Sequence, residues 1–290
     1  MTTRVLSAAL AVLLSFAAYS QEPATAADDA AAKVLQSIDW VKGPAKGEMK
    51  DIATIDVPSG YIFAKANDVS KLMEMMENPV SGSEVGFLAP EDMSWFMVFE
   101  FSDIGYVKDD DRDELDANAI LKNVKEGTEA ANEERKKRGW GTLDIVGWEQ
   151  QPKHDTKSNN LTWAIRAKSG PEQVVNYNTR ILGRRGVMEV ALVCDPAQLA
   201  AVTPAANKLL TDYQFNAGER YAEFTKGDKV AALGLAALIT GGGVAVAAKS
   251  GLLAKLFKLL AKVGVFLAAG AAALFKKLFG KKEEAPTQLG

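Results

Sequence analysis

Hydrophobic and polar positions change period along the chain, and the changes divide it. Residues 52–57, 84–88, 94–101, 142–149, 161–167, 174–181 and 187–193 are short runs rich in β-branched and aromatic side chains, several of them alternating apolar with polar. That pattern predicts strands. Residues 68–77, 117–138 and 196–212 carry the 3.6-residue period instead and predict helices. The second has Asp116 as its N-cap, Gly139 just past its end and a basic last turn of Arg135, Lys136, Lys137 and Arg138. The third opens Asp195-Pro196, a capping residue followed by proline at the first helical position, and Thr203-Pro204 predicts a break within it. The strands are mostly consecutive, joined by turn sequences such as LGRRG (182–186) and DTKSNN (155–160). They therefore pair as antiparallel hairpins, and the predicted class is α+β, with helices packed on an antiparallel sheet and a C-terminal membrane-anchoring helical segment.

The two ends have other patterns. Residues 1–20 combine Arg4, an apolar run from Val5 to Ala18 and small residues before Gln21, which reads as a signal peptide cleaved after Ser20. No cysteine near that site is available for lipidation. Residues 21–46 begin Ala-rich and polar and read as a flexible lead-in to a soluble domain over 47–227. The stretch 230–248 is 19 residues without a charge, about 28 Å as a helix, and predicts a transmembrane helix over 228–248. Gly241, Gly242 and Gly243 leave a hairpin as the alternative. Residues 249–290 form a basic amphipathic tail, in which Lys255, Lys258 and Lys262 lie on one narrow helical face and leucines fill the rest, an interfacial pattern.

Charge sharpens this division. Residues 21–229 carry 35 acidic and 25 basic side chains, whereas 230–290 carry eight lysines and two glutamates. An acidic body argues against nucleic acid as a partner, because phosphate binding needs clustered Lys and Arg. The basic tail suits anionic lipid. Together these features predict an inner-membrane, single-pass protein with its main domain facing the periplasm, membrane lipid as one partner and an envelope protein as another.

Candidate chemistry is sparse. The chain has one cysteine, Cys194, and one histidine, His154, so CxxC motifs, zinc fingers and intramolecular disulfides cannot exist. His154 sits in a polar stretch that reads as a surface turn, and Cys194 alternates with Val190 and Leu192 as a buried small hydrophobe would. The densest polar run places Asp109, Asp110, Asp111, Asp113, Glu114 and Asp116 within eight residues. Measured against a calcium loop starting at Asp109, it has Glu114 where glycine is required and Ile120 in place of the closing glutamate. A solvated acidic loop leading into an N-cap fits better than a metal site. In residues 174–186 the alternation puts Asn176, Asn178 and Arg180 on one strand face, with Arg184 and Arg185 in the following turn. Asp109, Asp110, Asp111, Asp113, Arg180, Arg184 and Arg185 are the candidate contact surface, as a solvent-facing strand side that could hold an anion or the acidic loop. No residue set predicts a catalytic centre, a bound metal or a cofactor.

Several strings, GYVKDDD (105–111), NEERKKRGW (132–140), VVNYNTRILGRRGV (174–187), GERYAEF (218–224) and DKVAALGLAAL (228–238), resemble an uncharacterised bacterial family of membrane-anchored proteins with a domain of unknown function. The resemblance implies an anchored envelope protein and supplies no activity. The layout of the domain also resembles Mog1/PsbP-like domains, which end in a helix and a short strand. The sequence thus favours a non-enzymatic binding or interaction module at the inner-membrane surface. The alternative is a hydrolase using clustered carboxylates, with or without a metal, which requires Asp109, Asp111 and Asp113 to converge in a cleft.

Overall fold

The computed structural model describes residues 26–156, 158 and 160–240. The predicted signal peptide over 1–20 and residues 249–290, with Lys255, Lys258 and Lys262, lie outside the described residues. In chain order the elements are α1 (Ala26–Gln36), β1 (Val41–Lys42), β2 (Ala45–Met49), β3 (Ala53–Val57), β4 (Tyr61–Lys65), α2 (Ala66–Met75), β5 (Glu84–Pro90), β6 (Phe96–Ser102), α3 (Ala117–Lys137), β7 (Asp144–Asp155), β8 (Asn160–Ser169), β9 (Glu172–Leu182), β10 (Val187–Cys194), α4 (Leu199–Thr211), β11 (Tyr213–Phe215) and α5 (Leu235–Thr240). The α+β class holds. An eight-stranded antiparallel sheet runs in the order β1-β4-β5-β6-β10-β9-β8-β7, and β11-β3-β2 form a second, smaller sheet.

The central strands of the large sheet have both faces covered, which is why they read as continuous apolar runs rather than clean alternations. One face packs Met97, Phe99, Met188, Val190, Leu192 and Cys194 against the small sheet and α4. The other packs Phe87, Val98, Ala191 and Val193 against α1 and α2, and Leu161, Trp163, Ile165 and Val187 against α3 and α5.

Four sequence expectations change. Residues 21–46 are not wholly a lead-in: α1, β1 and part of β2 fall there, and Ala31 and Ile38 are buried in the core. An Ala-rich polar composition conceals α1 because helix propensity and disorder draw on the same residues. Pro204 does not split its helix; α4 runs through it, and the irregularity comes earlier, where a 3-10 turn over Pro196–Gln198 hands over to the α-helix. His154 lies in β7 itself, which extends six residues beyond the predicted strand.

The largest change concerns the expected membrane helix. Residues 230–234 are not helical, α5 begins at Leu235, and Leu235, Leu238 and Ile239 are buried against Val107, Ile120, Val124 and Trp163. Residues 230–240 of the uncharged stretch 230–248 are thereby packed into the body, and residues 241–248 lie outside the described residues. Among the described residues no helix is long and apolar enough to cross a membrane.

Candidate functional site

Residues 218–240 pack back onto the body as a strap, and three of the seven sequence-predicted contact residues, Arg184, Arg185 and Asp111, hold it there. Arg184 makes a two-pronged ion pair with Asp228, Nε to Oδ2 at 2.7 Å and Nη2 to Oδ1 at 2.9 Å. Arg185 donates from Nε to Glu219 at 2.6 Å and from Nη1 to Asp103 at 2.9 Å, with its guanidinium over the Phe101 ring. The Arg184–Asp228 contact holds the Asp228 carboxyl far below the usual carboxylate range. Backbone bonds add a parallel bridge between Tyr106 and Val230: Tyr106 N–H donates to Lys229 O and Ala231 N–H to Tyr106 O, each at 2.8 Å. Tyr106 stacks between Tyr221 and Phe224, and the Tyr221 hydroxyl donates to Val107 O at 3.0 Å. Gly105 is required here, because its φ is +99° and a Cβ would lie 2.7 Å from Lys229 O.

The acidic loop serves the same strap. Asp111 accepts from Leu235 N–H at 3.1 Å, satisfying a backbone donor at the start of α5. Gly234 permits that approach, since its Cβ would meet the Asp111 carboxylate at 2.3 Å. Asp109 pairs with Arg112 at 3.2 Å, and Asp113 is 91% exposed. Asp109 and Asp113 flank Arg112 at the surface while Asp111 turns to α5, so the three do not converge in a cleft. Among the described residues no group of three acidic, His or Cys side chains is arranged to hold a metal ion.

Arg180 does not join Arg184 and Arg185. The predicted alternation of β9 is present, but the face bearing Asn176, Asn178 and Arg180 is buried beneath the helices. Arg180 is 3% exposed, pairs with Glu189 Oε2 at 2.8 Å and lies over the Trp163 ring at 4.7 Å. It closes a row that sequence reasoning missed. Glu84 pairs in register with Glu100, Glu100 with Glu189 and Glu189 with Arg180, so four charged side chains line up across β5, β6, β10 and β9. Glu84 accepts from Ser81 N–H and Gly82 N–H, Ser102 donates to Glu189, and Ser81 and Ser83 approach Glu100 at 3.4 Å. Burial, reinforced by Glu189 and Glu84, pushes the Glu100 carboxyl up to about 8, so it holds a proton at neutral pH. The available signal was a lone charge at an apolar position in each of several strands.

Cys194 is buried, and burial beside Asp195 raises its thiol to about 12, consistent with the small-hydrophobe expectation. A further feature lies on this same sheet face, opposite Arg180: a groove lined mainly by polar residues, about 980 Å³, between the β7–β8 end of the sheet and α4.

No curated protein matches the chain. Among solved structures it is similar to cyanobacterial PsbP (CyanoP) from Synechocystis sp. PCC 6803, with 8% identity over 62% of this chain and 93% of that one and a TM-score of 0.36. A family model matches residues 41–272, which takes in every strand, the strap and α5. The chain belongs to the family described as protein of unknown function, DUF2167.

Proposed function

We propose that this protein is a non-enzymatic module of the bacterial envelope, exported by its N-terminal segment and held on a membrane surface by residues beyond Thr240, so that its sheet domain is presented in one orientation. The observation that carries the proposal is the strap. Arg184, Arg185, Asp111 and the Tyr106 bridge fasten residues 218–240 to the body, so the polypeptide leaves toward its basic tail from a fixed point on a rigid domain. A flexible linker would give no such orientation. Because residues 230–240 are spent on packing, attachment falls to the amphipathic pattern of 251–264, with its leucine face in the acyl boundary and Lys255, Lys258 and Lys262 against anionic headgroups.

Flotation of the full chain with vesicles tests this. The chain should float with phosphatidylglycerol vesicles at low salt and much less with phosphatidylcholine alone. Replacing Lys255, Lys258 and Lys262 together by Gln should weaken binding about 100-fold, at roughly 1 kcal/mol per lysine. A chain that stays in the unfloated fraction with both lipids would overturn the proposal.

A further inference from the structure

The groove beside α4 exists because the two sheets differ in width. The small sheet and α4 cover the central strands of one face, but β8 and β7 extend past them. Thr162 on β8 and Thr179 on β9 are register partners and form the floor, with Tyr177 beside them and Gln150 of β7 toward the open edge. Asn207, Leu210 and Thr211 of α4 form the facing wall. The volume, about 980 Å³, is at the upper end of the range for small-ligand sites.

The lining selects a ligand class. Ten of its fourteen side chains are amides or hydroxyls, and Lys153 and Asp155 offset one another in charge. A phosphate or polyanion needs clustered cations, and one lysine does not supply them. An acyl chain would leave those amides and hydroxyls unpaired, and Leu210 is the one aliphatic side chain in the lining. Amides and hydroxyls both donate and accept, which is what a polyhydroxylated ligand requires of its surroundings. Tyr177 contributes an aromatic surface with a polar tip. At the hairpin end, both imidazole nitrogens of His154 and Oδ1 of Asn160 are enclosed and have no hydrogen-bond partner among the described residues.

We propose that this groove is a binding site for a neutral oligosaccharide, held by Gln150 and Thr162 on the sheet side and by Asn207 and Thr211 on the helix side. It lies on a different face from the strap and does not depend on membrane attachment.

The test is calorimetric titration of the full chain, kept in a detergent without a sugar headgroup, with chitotetraose and cellotetraose as neutral probes and tetragalacturonate as the anionic one. At least one neutral tetrasaccharide should bind, and tetragalacturonate should bind more weakly. Gln150→Ala and Asn207→Ala should each weaken binding about fivefold, the size expected for one lost neutral hydrogen bond. Both variants should keep the wild-type denaturation midpoint. Failure of both neutral probes to bind up to ~10 mM, equal or tighter binding of tetragalacturonate, or wild-type affinity in both variants would overturn the proposal. Membrane flotation would be unaffected by any of these results.

Discussion

The loop between β6 and α3 and the centre of the large sheet both concentrate carboxylates, under opposite conditions. In the loop, six acidic residues fall within eight positions, and their charges go to solvent, to Arg112 or to backbone donors. In the sheet, Glu84, Glu100 and Glu189 are far apart in sequence and meet only through strand register, with Arg180 as their buried countercharge. Crowding in sequence thus marks where charge is cheap to hold, because water or local pairing screens it. Crowding created by register inside a sheet is where charge is costly, because two or more carboxylates share one low-dielectric volume. The conspicuous cluster is structural punctuation, and the inconspicuous one governs stability.

Removing the countercharge gives the sharpest contrast. Arg180→Met leaves Glu189 buried without its partner and should cost about 3–5 kcal/mol in urea denaturation. Adding Glu189→Met should recover a large part of that loss. If the single substitution proves as mild as a surface change, the buried row is not the costly region and the comparison fails.

The second effect is a pH dependence confined to the row. Glu100 has its folded-state carboxyl raised from 4.5 to about 8, so the folded protein holds a proton that the unfolded chain releases. The resulting stabilisation is fully present below pH 4.5 and is lost as pH rises through about 8, with a slope of at most ~1.4 kcal/mol per pH unit. Asp228 and Glu223 shift the other way, and their contribution is lost only in acid, outside this window. Denaturation midpoints measured from pH 5 to 8 should fall for the wild type and flatten for Glu100→Gln. A flat wild-type profile would remove Glu100 as the proton holder.

The smallest effects divide the loop itself. Asp111→Ala deprives Leu235 N–H of its acceptor and should lower stability by about 1 kcal/mol, as loss of a helix cap does. Asp113→Asn should leave the midpoint where it is. Equal responses from the two would mean that the strap draws nothing from Asp111.

These contrasts also explain what was legible in the sequence. The α+β class, the α3 N-cap at Asp116 and the strands of the β8–β9–β10 hairpins followed from local chemistry, which the fold leaves intact. The short strands β1, β4 and β11 did not, because they depend on partners further away in sequence, and β2, although it pairs with the adjacent β3, was hidden by its polar composition, AKGEM. For the same reason Arg180 was placed on the correct side of its strand but on the wrong side of the solvent boundary: alternation separates two faces and does not say which is covered. The strap was hidden by its composition. An uncharged run such as 230–240 looks alike whether it meets lipid or Ile120, Val124 and Trp163, and only the fold distinguishes the two.

The strap also sets a load path. A pull on the chain at Thr240 reaches α3 through the packing of α5, the β6–α3 loop through Asp111 and the parallel Tyr106–Val230 bridge, and the β9–β10 turn through Arg184 and Asp228. Those ties stand one behind another along the strap, so traction from the C-terminal side has to undo α5, the Tyr106–Val230 bridge and the Arg184–Asp228 pair before it reaches the sheet.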